Sequence, residues 1–301
     1  MPKPMRQSPA IASLGIVLAL LVSCDKRALP TGPTPPPPPP TVQRSTGPIA
    51  FVSNRDGTDR IYLANEDGSM VTPLVTGWSP AWARDGRQIA FTFTFEVHVI
   101  SVDGSGDRII AVDGSAPAWS PDGRSLVFEN ARGDSEIDVV NLDGSNRRSV
   151  FDSDWGSFDP TWSPDGQRIL FSIGTFFDSE FGLWTVNADG SGARQLGVNG
   201  SLYDAGQPAW SPDGSEIAFR SEPGLDIEVA RTDGSGRRLL VAGPAHDPDW
   251  TSDGRLIYTK GPTFGPTRIF ISDGGTERQL IPDATAPARP TYSDSSAVWL
   301  R

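Results

Sequence analysis

Three shortages in this 301-residue chain narrow what it can be. Cysteine is the first: Cys24 stands alone, so no internal disulfide can form. Histidine is the second: only His98 and His246 occur, far apart, and no two-histidine metal motif exists. Positive charge is the third. Lys and Arg number 26 against 37 Asp and Glu, a formal charge of −11. That balance argues against a nucleic-acid surface, which needs clustered cations, and against attachment to anionic lipid by charge alone. Two patterns are missing as well: no stretch reads as a long amphipathic helix, and no Gly-x-Ser-x-Gly nucleophile elbow occurs.

The lone cysteine has a telling position. It follows the apolar run from Ile11 to Val22, which is preceded by Lys3 and Arg6. A positive start, a short apolar core and a small-residue exit describe a secretory signal over residues 1–23. The core is too short for a comfortable membrane span of about 20 residues. The exit Leu21-Val-Ser-Cys24 resembles the lipobox of bacterial lipoproteins, which implies acylation of Cys24 and a membrane anchor. Removing residues 1–23 deletes Lys3 and Arg6 and takes the formal charge from −11 to −13. Residues 24–47 then hold the lipidated Cys and a tether with no strand pattern, centred on the prolines from Pro30 to Pro40. Proline fixes φ and donates no hydrogen bond, so this segment favours polyproline II and reads as a spacer that can reach roughly 70 Å at about 3.1 Å per residue.

From Pro48 onward the chain repeats. Trp-Ser-Pro-Asp-Gly occurs at 119–123, 162–166 and 210–214, with weaker copies at Trp82-Ala-Arg-Asp-Gly86, Trp250-Thr-Ser-Asp-Gly254 and Tyr292-Ser-Asp-Ser-Ser296. Successive copies lie 37, 43, 48, 40 and 42 residues apart, the period of propeller blades. Ser, Pro, Asp and Gly in that order suit a type I turn closing into Gly. A second strand follows each turn, as in Leu126-Val-Phe128, then a third, as in Ile137-Asp-Val139, then a second Asp-Gly turn and a short fourth strand opened by basic residues. The Trp residues read as blade-to-blade core rather than as sugar-stacking platforms.

Third strands and second Asp-Gly turns number six each. The first unit, at Ile49, lacks its own Trp strand, whereas Pro290-Thr-Tyr292 has no full unit after it. Ring closure by the C-terminal strand resolves both and removes exposed sheet edges. The expected fold is all-β: a six-bladed propeller of four-stranded antiparallel blades over residues 48–301. Ala297-Val-Trp299 looks like a seventh second strand and leaves a seven-bladed ring open.

The unit Trp-Ser-Pro-Asp-Gly-x-x-Ile-x-Phe resembles the TolB-type, WD-like propeller repeat, over about residues 48–296. The resemblance implies the propeller, closure of the first blade by a final Trp strand, and a cell-envelope setting. The chain departs from that family in its lipobox, its proline stalk and the lack of a segment matching the separate N-terminal α/β domain. The role of TolB in the Tol–Pal system therefore does not carry over.

One residue before each Pro-x-Trp is expected to face the central channel: Ser79, Ala116, Asp159, Gln207, Asp247 and Arg289. Polar side chains converging on one mouth make a candidate binding ring. His98, within a third strand, reads as structural or solvent-facing. Asp152, Asp154 and Asp159 are carboxylates of the kind that suit calcium, but the string lacks the full loop signature, and no cofactor is expected. The function expected is a monomeric, exported, lipid-anchored propeller of the bacterial envelope that binds a protein or glycan partner without catalysis. The alternative is a carbohydrate-active hydrolase or lyase using carboxylates at the channel mouth.

Overall fold

A computed structural model describes residues 47–130, 136–153, 156–175, 178–197, 205–262, 266–282 and 293–300. The signal, Cys24 and the proline tether lie outside them. Six four-stranded sheets are present, every pairing antiparallel. Blade 2 shows the plan: Trp78–Trp82, Gln88–Phe93, Glu96–Ser101 and Arg108–Val112 follow one another from the axis outward. Blades 3 to 6 open with Gly114–Trp119, Ser157–Trp162, Ala205–Trp210 and Ala245–Trp250. Blade 1 is assembled from both ends of the repeat. Ile49–Ser53, Arg60–Ala64 and Thr72–Thr76 are joined by Asp294–Trp299, with Ile49 opposite Trp299 and Ser53 opposite Asp294.

This closure corrects one detail of the sequence reading. The strand that pairs with Ile49–Ser53 is Asp294–Trp299, and Pro290-Thr-Tyr292, to which the sequence assigned this role, lies outside the described residues. Ala297-Val-Trp299 is therefore the first strand of blade 1 rather than a seventh second strand, and the ring has six blades.

Strand alternation explains the core. Successive side chains point to opposite faces, so Ile89 and Phe91 pack toward blade 1 while Ala90 packs toward blade 3. The same split yields six apolar clusters, one between each pair of adjacent blades, including the seam of blade 6 with blade 1 at Ile257, Ile269, Phe51 and Trp299. The Trp of each first strand sits in one of these seams. Trp119 and Trp250 donate Nε1–H to the carbonyls of Ala81 and Ala209 on the preceding blade, at 3.0 and 3.2 Å. The Trp residues are thus core, as expected. Burying each large apolar side chain stabilises by about 2–3 kcal/mol.

The turns behave as their residues dictate. Gly123 has φ +69° and donates its N–H to Ser120 O at 2.9 Å, and Ser120 Oγ donates to Asp122 at 2.7 Å. The Ser120 hydroxyl and then the Arg124 N–H hold Asp122 below the usual carboxylate range, and in the matching turn the hydroxyl of Ser211 leads in lowering Asp213 to about 2.

Candidate functional site: the channel mouth

Each first strand carries a bulge near its inner end. Register skips between Trp78 and Ala81, Ser115 and Ala118, Phe158 and Thr161, Gly206 and Ala209, and His246 and Asp249. The closing strand skips likewise, between the pairs Val52–Ser295 and Ala50–Val298. Two residues there face one on the partner strand, which kinks the chain and re-aims a side chain. The first residue of every bulge is left-handed: φ is +49° at Ser79, +47° at Ala116, +53° at Asp159, +51° at Gln207, +50° at Asp247 and +48° at Ser296. Six non-glycine residues in that region mark a repeated, strained feature rather than a local accident.

Five of the six bulges, those of Ala116, Asp159, Gln207, Asp247 and Ser296, are tied to the preceding blade. Thr92 Oγ1 accepts the N–H of Ala116 at 3.0 Å, and Glu129 Oε1 accepts that of Asp159 at 2.7 Å. The Asp159 carboxylate accepts from the N–H of Gln207. Gln207 Oε1 accepts the N–H of Asp247 at 3.2 Å, while its Nε2 donates to Asp247 Oδ1. Asp247 Oδ2 accepts the N–H of Ser296 at 3.1 Å. A side chain of one blade thus holds the bulge amide of the next.

Together these residues form one end of an axial cavity of about 380 Å³ lined by all six blades. The wall beyond them holds the first-strand prolines and Asp249, whose Oδ2 accepts the N–H of Trp299 at 2.9 Å. The far end holds Pro121, Pro164 and Pro212 of the Ser-Pro-Asp-Gly turns, with Arg84 and Ser252.

Three carboxylates meet at the mouth. Burial raises Glu129, whose Oε2 also accepts from Ser115 Oγ at 2.9 Å. Asp159 is pushed up to about 7, first by burial and then by the charges of Glu129 and Asp247. Burial also raises Asp247, against the pull of the Ser296 N–H. Arg220, on the second strand of blade 5, acts on Asp159 and Asp247 in the opposite direction and pairs with Glu222 at 3.1 Å. His246 is lowered by burial.

The structure brings Ser79, Ala116, Asp159, Gln207 and Asp247 together as the repeat position predicts. Arg289 lies outside the described residues, and the ring position assigned to it belongs to Ser296. The missed signal was spacing: each ring residue stands three before its Trp, and Ser296 stands three before Trp299. Glu129 and Arg220 were also missed, because they sit on second strands and only the fold brings them to the mouth. Asp152 is exposed, Asp154 lies outside the described residues and Asp159 belongs to the ring. Among the described residues no group of three or more His, Cys, Asp or Glu is disposed to hold a metal ion. His98 is structural: it is buried, its Nδ1 lies 2.9 Å from Asp107 Oδ1, and its ring packs on Phe91 and Phe93.

The family model of the TolB beta propeller domain matches residues 76–295. The chain belongs to this TolB β-propeller family. Among solved structures, TolB from Acinetobacter baumannii matches at 18% identity with a TM-score of 0.70, covering 84% of this chain. The chain spans 66% of that TolB's length. A chain of a nidogen/laminin complex matches at 14% identity and TM-score 0.67, over 83% of this chain and 97% of that one. An oligogalacturonate lyase in complex with manganese matches at 14% identity and TM-score 0.56, over 80% and 75%. At such identities the likeness is one of fold. A search of curated protein sequences found no match.

Proposed function

We propose that this TolB-family propeller is exported, anchored by a lipid on Cys24, and holds a segment of an envelope protein or glycan at its channel mouth without catalysing a reaction. The observation that carries this reading is the bulge ring. It draws polar groups from different blades to one opening and fixes them through the neighbouring blade's amides. Such preorganisation suits recognition, because little ordering remains to be done on binding. Export and anchoring rest on Lys3, Arg6, the run Ile11–Val22 and Leu21-Val-Ser-Cys24.

The carbohydrate-active alternative would need mouth carboxylates free to transfer a proton or attack a sugar. Glu129 and Asp247 use both oxygens to hold bulge amides and neighbouring side chains, a structural use that fixes them in place and leaves capacity only for further donors, which favours the binding reading. The test is partner recovery from the protein's own envelope after cross-linking. Asp159→Asn with Asp247→Asn keeps an acceptor for the backbone N–H groups of Gln207 and Ser296, gives up the bond from Gln207 Nε2 and removes the charge. The double variant should fold and recover less partner, and Cys24→Ser should move the protein to the soluble fraction. Equal recovery by wild type and the double variant would place the binding site elsewhere.

A further inference from the structure

Blade 2 carries an aromatic shoulder beside the mouth that the bulge ring does not explain. Its second and third strands are joined by two residues, Thr94 and Phe95, since Phe93 pairs with Glu96. φ is +48° at Thr94 and +62° at Phe95. That pair makes a type I′ turn, which Asn-Gly suits and a β-branched residue followed by an aromatic does not. Burial does not offset the strain, because Phe95 is 69% exposed. Trp78, 41% exposed, stacks on Phe93 at 6.3 Å between ring centroids and 17° between planes. Val112, opposite Glu96 and also 41% exposed, extends the patch. An exposed aromatic held in a strained turn works against folding, so its reason lies in what it touches outside the chain.

The surroundings select the occupant. Trp78 directly precedes Ser79 of the ring, so the shoulder adjoins the mouth where Asp159 and Asp247 stand. Its own fringe is acidic: Asp59 accepts from Trp78 Nε1 at 3.4 Å, Glu96 opens the third strand, and Asp113 follows Val112. The nearby cations are already committed, Arg60 to Asp56 at 3.3 Å and Arg147 to Asp138 at 2.8 Å. An anionic membrane would repel this fringe, and a neutral glycan would gain no charge attraction from it. A basic peptide satisfies both halves, because Lys or Arg pairs with carboxylates and also sits favourably over aromatic faces.

We propose that Trp78, Phe93 and Phe95 dock a basic segment of a partner protein, whose apolar side chains pack on the rings while its Lys or Arg residues meet Asp59, Glu96 and the mouth carboxylates. This rests on the partner-binding reading of the mouth and gives the partner its chemistry.

The test titrates the full chain with an end-blocked Arg-Leu-Arg-Leu-Arg-Leu-Arg peptide by calorimetry. The matching Glu-Leu peptide, a neutral glucan oligosaccharide and phosphatidylglycerol vesicles serve as counter-probes. The basic peptide alone should bind, more weakly as salt rises. Phe95→Gly and Trp78→Ser should each weaken it tenfold or more. Gly suits φ +62°, so Phe95→Gly should melt no earlier than wild type, which separates lost binding from lost folding. Asp159→Asn with Asp247→Asn reports on the mouth independently. If that double variant loses the peptide while Phe95→Gly and Trp78→Ser keep it, the shoulder is overturned and the mouth stands. If the basic peptide fails to bind wild type, or a counter-probe binds as well, the basic-segment assignment is overturned.

Discussion

Replacing Asp159 by Asn should stabilise the propeller at pH 8 and leave it unchanged near pH 4. The Asp159 carboxyl is pushed up to about 7 by burial and by the charges of Glu129 and Asp247. A carboxyl raised in the folded state binds its proton more tightly there than in the unfolded chain. Stability therefore falls as pH rises from about 4 to about 7 and levels off above, once the group is ionised in both states. Each tenfold gain in proton affinity on folding corresponds to about 1.4 kcal/mol, so the gap from the ordinary carboxyl value sets a ceiling of about 4 kcal/mol. The channel wall is partly solvated, and a proton taken up by Glu129 relieves part of the repulsion on Asp159, which brings the expected gain down to about 2 kcal/mol. Asn keeps an oxygen for the Gln207 N–H, so the ring bond survives the change. For a domain of this size, about 2 kcal/mol raises Tm by about 4–8 °C. Calorimetric melts of both proteins at pH 4, 6 and 8 measure the difference directly, and groups titrating alike in the two proteins cancel. A gain of equal size at pH 4 and pH 8, or a loss at pH 8, would refute the argument that ionised Asp159 opposes folding.

Two glycines with positive φ should respond differently to Ala. Gly123 (φ +69°) has nothing within 4 Å of an added Cβ, whereas one on Gly68 would lie 1.9 Å from the Leu280 carbonyl oxygen. Denaturant titration should show a loss of about 1 kcal/mol at Gly123 and at least about 2–3 kcal/mol at Gly68; equal losses would contradict the contact argument. Trp299→Ala removes the closing strand's core residue from the seam shared with Ile257 and Ile269. It should cost about 3–5 kcal/mol, and a loss under about 1 kcal/mol would show that closure does not depend on that packing.

Local chemistry made most of the fold legible. Ser-Pro-Asp-Gly announces its turn because each residue has a backbone preference matching its place, and Ile-x-Phe strands announce their pairing by alternation. Closure was legible in kind but displaced in register. Pro290-Thr-Tyr292 imitates the Pro-x-Trp strand, while the true strand has Ala297 where the other blades have Pro. The bulges left no mark, because their left-handed residues are Ser, Ala, Asp and Gln rather than Gly. What holds Asp159, Gln207 and Asp247 in place is the next blade's amide, an interaction 40 or more residues distant in sequence. The shoulder was hidden for a related reason: Thr94-Phe95 does not resemble a type I′ turn, and only the pairing of Phe93 with Glu96 imposes one.

The same long-range bonds tie the mouth to the closure of the ring. Asp247 and Asp249 lie on one strand of blade 6, and each accepts an amide of the closing strand, from Ser296 at 3.1 Å and Trp299 at 2.9 Å. Asp247 also receives Gln207 of blade 5, which in turn donates its N–H to Asp159. A cation or donor arriving at the mouth therefore meets carboxylates already holding four blades together. It neutralises a charge cluster that burial disfavours without needing to displace the amides, because a carboxylate can accept more than one hydrogen bond per oxygen. Binding there should reinforce the seam between blades 6 and 1, and the stability gained with ligand should be largest where Asp159 is ionised.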